Sequence, residues 1–162
     1  MCGIAGFWGE GGEKVGRQMV QLLRHRGPDY QGVWSEGQVT LAHARLSILD
    51  LDPRSHQPFF SSDGRYIIVF NGEIYNFQSL RTKLEKLGIV FRTTSDTEVL
   101  LYAYQVWGKD CLKHLRGMFA FGIYDRVEEV FFLARDPMGK KPLYYTFQNN
   151  VFAFASEIKA LW

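Results

Sequence analysis

The sequence predicts an α+β sandwich, with antiparallel strands in hairpins and helices layered outside them. Two features carry this reading. Three segments repeat apolar side chains at helical spacing and stop at glycines. The last third holds four strand-like runs, at 118–124, 130–134, 143–147 and 151–155, too continuously apolar to leave one sheet face in water. A chain of 162 residues, 46% hydrophobic and 22% charged, fits one such domain and can bury a sizeable core.

The elements follow in order. An apolar strand at 4–8 ends in the turn Gly9-Glu10-Gly11-Gly12. Val15, Met19, Leu22 and Leu23 mark a first helix, stopped by Gly27-Pro28. Residues 32–34 and 39–43 form a hairpin around Glu36-Gly37, and 52–58, with two prolines, is a loop. Tyr66 to Phe70 is a β-branched and aromatic strand ending at Asn71-Gly72, a pair that taken alone signals a hairpin turn. A second helix from Asn76 sets Phe77, Leu80, Leu84 and Leu87 on one face and stops at Gly88. Ser95 and Glu98 form a capping box for a third, whose apolar side is Val99, Leu100, Ala103, Val106 and Trp107, closed by Gly108.

Composition excludes several function classes. Nineteen basic against seventeen acidic side chains leave +2, too little for a nucleic-acid footprint. Two cysteines with no CxxC pair exclude a disulfide scaffold and a zinc knuckle and favour a reducing compartment. No apolar run reaches the roughly 18 residues of a membrane span, and residues 1–8 lack a basic leader, so a cytoplasmic location is expected. His25, His43, His56 and His114 lack ligand spacing, so no metal is expected. The glycines at 3, 6, 9, 11 and 12 lack the Lys-Ser/Thr ending of a phosphate loop. Cys111, among Leu112 and Leu115, reads as inert core.

Cys2 is different because of its place. When the second residue is small, the initiator Met is normally removed, and Cys2 then carries a thiol and a free α-amine together. With a reference pKa of about 7.7–8.0, the amine is partly neutral near pH 7 and can take the thiol proton. Position alone equally allows a small apolar residue at a strand start.

The surrounding motifs decide between these. Met1-Cys2-Gly3-Ile4-Ala5-Gly6, Arg24-His25-Arg26-Gly27-Pro28-Asp29 and His43-Ala44-Arg45-Leu46-Ser47-Ile48-Leu49-Asp50 resemble the class II glutamine amidotransferase domain. So do Asn71-Gly72-Glu73-Ile74-Tyr75-Asn76, Ser95-Asp96-Thr97-Glu98, Gly117-Met118-Phe119-Ala120-Phe121, Arg135-Asp136 through Lys141-Pro142-Leu143-Tyr144-Tyr145, and Ser156-Glu157-Ile158-Lys159-Ala160-Leu161. The match spans the whole chain in order and is nearest to the N-terminal domain of glutamine-dependent asparagine synthetases. The resemblance implies the N-terminal-nucleophile hydrolase fold, a four-layer αββα sandwich of two stacked antiparallel sheets flanked by helices.

It also implies roles. Cys2 attacks the side-chain amide of L-glutamine; the Asn71 amide and the Gly72 N–H form the oxyanion hole. Arg45 grips the substrate carboxylate, a task suited to a guanidinium fork, with backbone groups of Leu46 and Ile48 beside it. Asp96 and Glu73 receive the α-ammonium. Taken singly, Arg45 is a surface Arg just after a strand and Asp96 an acid in a helix's first turn. In the family this domain needs no cofactor; ATP and Mg belong to a following synthetase domain with a Ser-Gly-Gly-x-Asp loop, which does not occur here. The expectation is therefore an excised N-terminal domain, since the sequence stops at Trp162 without a helix stop, or a subunit of a separate synthetase. Two other classes stay open: a non-catalytic glutamine-sensing or docking module if Met1 is retained, and an N-terminal-nucleophile hydrolase of another amide.

Overall fold

The computed structural model describes residues 1–47 and 53–161. Its elements are β1 (Gly3–Trp8), α1 (Gly12–Leu22), β2 (Tyr30–Glu36), β3 (Val39–Arg45), β4 (Phe59–Phe60), β5 (Tyr66–Ile74), α2 (Phe77–Lys86), α3 (Asp96–Trp107), β6 (Gly117–Asp125), β7 (Val130–Arg135), β8 (Tyr144–Gln148) and β9 (Val151–Ala155). Short 3₁₀ turns follow at Pro53–Ser55, Gly108–His114 and Ile158–Leu161. The strands form two antiparallel sheets, ordered β2-β3-β1-β9-β8 and β4-β5-β6-β7.

Strand alternation explains how the layers stack. Ile4 packs between the sheets with Leu41, Ile67, Val69, Ala120 and Phe154, whereas Ala5 and Phe7 turn to the opposite face. There Met19, Val20 and Leu23 cover a floor of Ala5, Ala42, Ala44, Ala153 and Ala155. Small floor residues let α1 lie close; a Cβ on Gly16 would come within 2.7 Å of Thr40. On the far side, Leu80, Leu84 and the first half of α3 cover Ile68, Phe70, Phe121 and Ile123 of the second sheet. The expected sandwich is thus present, helix layer on each outer face.

Four details differ from expectation. The chain leaves α1 at Leu22, before Gly27-Pro28, because Gly27 must pass against β3, where a Cβ would sit 2.2 Å from the Ala44 carbonyl oxygen. The strand that was to end at Asn71-Gly72 continues to Ile74, paired with β6 through Ile74 and Gly117. The capping box is half made: Ser95 Oγ accepts from the Glu98 N–H, but the Glu98 carboxylate accepts from Arg92 and Thr93 N–H instead of from Ser95. Finally, β8 is an edge strand with Tyr145 72% and Phe147 66% exposed, so not every terminal strand is covered on both faces, and Val106 of α3 faces solvent.

Candidate active site

Three strand ends and one helix start meet at one end of the sandwich. Cys2 precedes β1, Arg45 ends β3, Asn71, Gly72 and Glu73 lie near the end of β5, and Asp96 opens α3. The register Gly3 to Ala44 brings Cys2 beside Arg45. All these residues line one cavity of about 220 Å³, smaller than a drug-sized pocket and of a scale for one small molecule. Arg45, Asn71 and Asp96 are buried, so the reading of Arg45 as a surface side chain after a strand does not hold.

Backbone groups hold the nucleophile. The Leu46 N–H donates to Cys2 Sγ at 3.3 Å, and the thiol points at the Leu46 carbonyl at 3.7 Å. Arg26 Nε donates to the Cys2 carbonyl at 3.1 Å, and Glu157 holds that guanidinium from its other side at 2.9 Å. Burial pushes the Cys2 thiol up; the Leu46 N–H, the chain's terminal amine, Arg45 and Lys141 pull against it.

The wall that carries Asn71 and Gly72 is built from β5. Among the described residues, the edge of β5 has no strand partner beyond the two-residue β4, and side chains take over there. Gln57 Oε1 accepts from the Phe70 N–H at 2.6 Å, and neutral His43, pushed by burial down to about 3, donates Nε2–H to the Phe70 carbonyl at 3.1 Å. Phe70 is thereby fixed just ahead of Asn71. The Asn71 Nδ2 is buried with no hydrogen-bond partner among the described residues. Gly72 sits at φ 142, and a Cβ there would lie 2.1 Å from the Met118 carbonyl oxygen, so only glycine fits.

Asp96, also in the lining, accepts from the Ile74 N–H at 3.0 Å through Oδ2. Burial, with help from the Glu73 charge, pushes the Asp96 carboxyl up to about 6 against its N–H donors. The arrangement offers a thiol, an unused amide donor beside a close-approach glycine, a guanidinium and two carboxylates around one small space. That set matches a zwitterion carrying a side-chain carbonyl.

Known proteins agree. A profile of the glutamine amidotransferase domain matches residues 1–162. The chain belongs to the glutamine amidotransferase domain family. It is 41% identical to glutamine-hydrolyzing asparagine synthetase 3 of Bacillus subtilis over 99% of this chain and 27% of that protein. It is 40% identical to asparagine synthetase B of Escherichia coli over 91% of this chain and 26% of that protein. The chain thus spans about a quarter of the length of these curated relatives. Among solved structures, the glutamine phosphoribosylpyrophosphate amidotransferase of Bacillus subtilis superposes with a TM-score of 0.80 at 26% identity, over 99% of this chain and 43% of that one. The fold is that of the N-terminal-nucleophile amidotransferases.

Of the site residues expected from the sequence, Cys2, Arg45, Leu46, Asn71, Gly72, Glu73 and Asp96 line this one cavity. Leu46 also directs its N–H at the Cys2 sulfur. Ile48 lies outside the described residues. Sequence reasoning assigned no role to Arg26, His43, Gln57 or Lys141, although three of them stand inside quoted motifs and Gln57 lies in the loop read as mere connection. Nor does the glycine-rich turn fit a nucleotide: it opens α1 with Glu13 in the first turn, the wrong charge for phosphate. Among the described residues, no helix is long and apolar enough to cross a membrane.

Proposed function

We propose that this domain hydrolyses L-glutamine to glutamate and ammonia, as the glutaminase part of an asparagine-synthetase-like enzyme. With Met1 removed, the Cys2 thiol passes its proton to its own α-amine. The thiolate adds to the glutamine side-chain carbonyl, and the oxyanion is met by Asn71 Nδ2–H and the Gly72 N–H. The protonated amine returns its proton to the leaving nitrogen, ammonia departs, and a γ-glutamyl thioester remains. Water, activated by the same amine, cleaves the thioester to glutamate and the free thiol. Arg45 pairs with the substrate carboxylate, Asp96 and Glu73 with its ammonium.

The observation that carries this reading is the buried Asn71 Nδ2, without a partner among the described residues, in the cavity that also holds Cys2, Arg45 and Asp96. A buried amide donor left unmet costs about 1–3 kcal/mol, a cost that a ligand oxygen would remove. The ammonia serves a synthetase domain that binds ATP and Mg and lies outside this chain; this domain itself needs no cofactor. The test is glutamate and ammonia release from glutamine by the Met-free chain. Cys2→Ala is expected to abolish it, and unchanged turnover in that variant would overturn the assignment.

A second state turns on Met1. Met1 lines the same cavity. With Met1 attached, the Cys2 nitrogen is an amide and cannot act as base, leaving a module that binds glutamine without hydrolysis. Intact mass, measured beside glutamine binding, separates the two.

A further inference from the structure

Lys141 is a cation in an unusual setting. It is 6% exposed and lines the nucleophile's cavity, and its Nζ meets the Met1 thioether sulfur at 2.9 Å. Among the described residues no carboxylate lies within ion-pair distance of it. Among the described residues its hydrogen-bond partner is this sulfur, a weak acceptor for a charged donor.

The turn that carries it is tightly built. Asp136 accepts from the N–H groups of Phe119 at 3.1 Å, Lys140 at 2.9 Å and Lys141 at 3.1 Å. Burial pushes that carboxyl up, but these donors outweigh it and keep Asp136 ionised well into acid. Arg135 Nε donates to the Lys141 carbonyl at 2.6 Å and its Nη2 to the Gly139 carbonyl at 2.9 Å. Gly139, at φ 63, makes the reversal. Both backbone groups of Lys141 are therefore tied, and its side chain is delivered to one place.

We propose that Lys141 is a positioning residue for the nucleophile: once Met1 is removed, its ammonium, held by the 136–141 turn, keeps the Cys2 thiol and α-amine as a proton-poor pair at neutral pH. The physical reason is charge. A nearby cation disfavours the ammonium form of the amine and favours thiolate over thiol, so both shifts make the first proton leave at lower pH. Lys141 already acts on the thiol in this sense.

Other groups face Cys2 as well. Arg45 at the end of β3 works in the same direction, and His43 on β3 is neutral. Arg26, following α1, is partly balanced by Glu157. Glu73 on β5 and Asp96 on α3, which line the same cavity, oppose it. Among the described residues, Lys141 is the cation on this list whose ammonium gives up a hydrogen-bond partner, the Met1 sulfur, when the mature terminus forms.

The purpose of this device rests on the glutaminase reading, but its test needs no glutamine. The Met-free full chain is alkylated with iodoacetamide across the neutral pH range, and Cys2 modification is followed by peptide mass spectrometry, with buried Cys111 as internal reference. Lys141→Met is expected to move the midpoint of the Cys2 rate upward by about one pH unit, and Lys141→Arg to restore the parental profile. Superimposable profiles for Lys141→Met and parent would overturn the inference. If Lys141→Met does not fold, nitrogen NMR of the parent's α-amine decides: titration below the ordinary range of about 7.7–8.0 supports it, and titration within or above that range overturns it. A parent that fails to turn over glutamine while the alkylation shift is present would refute the glutaminase reading and leave the Lys141 inference standing.

Discussion

The two ends of the cavity are built on opposite rules. At and behind the recognition end, where Asp96 lines the cavity, polar groups are bonded to one another: Asp96 takes the Ile74 N–H, and behind it the Glu98 carboxylate takes N–H groups from Arg92 and Thr93 and the Thr93 hydroxyl. At the reacting end, around Cys2, buried polar atoms are left without partners: Asn71 Nδ2 and His43 Nδ1 in the lining, and Arg26 Nη2 on the guanidinium that holds the Cys2 carbonyl, account for three of the four such atoms among the described residues. A satisfied network fixes geometry before substrate arrives, whereas an unsatisfied donor waits for charge that exists only during the reaction. The difference locates chemistry by the hydrogen bonds that are missing rather than by those that are made.

The largest expected effect breaks the reacting end alone. Asn71→Ala should lower kcat for glutamine by about two to three orders of magnitude and leave KM nearly unchanged, because the lost bond forms mainly in the transition state. Steady-state kinetics on the Met-free chain check this. A raised KM with normal kcat would place Asn71 at the recognition end instead.

Arg45→Ala should do the reverse. A charge-assisted bond of about 1.5–3 kcal/mol corresponds to a tenfold to hundredfold rise in KM, with kcat less affected. Equal losses in both parameters would mean that the carboxylate clamp also aligns the amide for attack.

The sequence exposed these two ends unevenly. Helix punctuation and strand runs were legible because they depend on near neighbours, and the sandwich followed from them. That Arg45 is buried was not legible, since burial depends on what the fold brings around a side chain and not on its neighbours in sequence. Asn71-Gly72 looked like a turn because the pair is a local turn signal; the strand continues because Gly72, Glu73 and Ile74 pair with Phe119, Met118 and Gly117 of β6, close enough that a Cβ on Gly72 would meet the Met118 carbonyl oxygen. The motifs drew attention to Cys2, Arg45, Asn71 and Asp96 through resemblance rather than through any spacing, for only tertiary pairing brings them together. Lys141 and Gln57 stayed without a role for the same reason. Their importance lies in what they touch across the sheets.

A third test concerns pH. The Asp96 carboxyl, pushed up to about 6 by burial, must be ionised to receive an ammonium. As pH falls through about 6, kcat/KM should drop toward tenfold per unit, and Asp96→Asn should remove that limb together with most of the affinity. Stability moves the other way. Folding raises this carboxyl from its ordinary 3.8, so its contribution is full below that value and is lost as pH rises through about 6. Asp96→Asn should therefore stabilise the empty protein at neutral pH, by an amount on the order of 2–3 kcal/mol before relaxation. A variant that is less stable at neutral pH would show that the Ile74 bond needs a full negative charge.

The smallest effect sharpens the comparison by disturbing the network behind the recognition end without touching the cavity's charges. Ser95 Oγ accepts the Glu98 N–H at 3.4 Å and shares a hydrogen bond with Thr93 Oγ1 at 2.9 Å. Ser95→Ala removes both, so α3 loses its cap at a cost of about 1 kcal/mol, read as a lower denaturation midpoint with unchanged m-value. Asp96 is the next residue and is still held by Ile74, so KM should rise only a few-fold, by the general cost of loosening a positioned charge. Turnover at saturating glutamine should stay near parental, because Cys2 leads into β1 and Asn71 and Gly72 are held in β5 by pairing with β6. If Ser95→Ala lowered kcat as far as Asn71→Ala does, the two ends would be one coupled unit, and the division between a bonded wall and a waiting one would have to be given up.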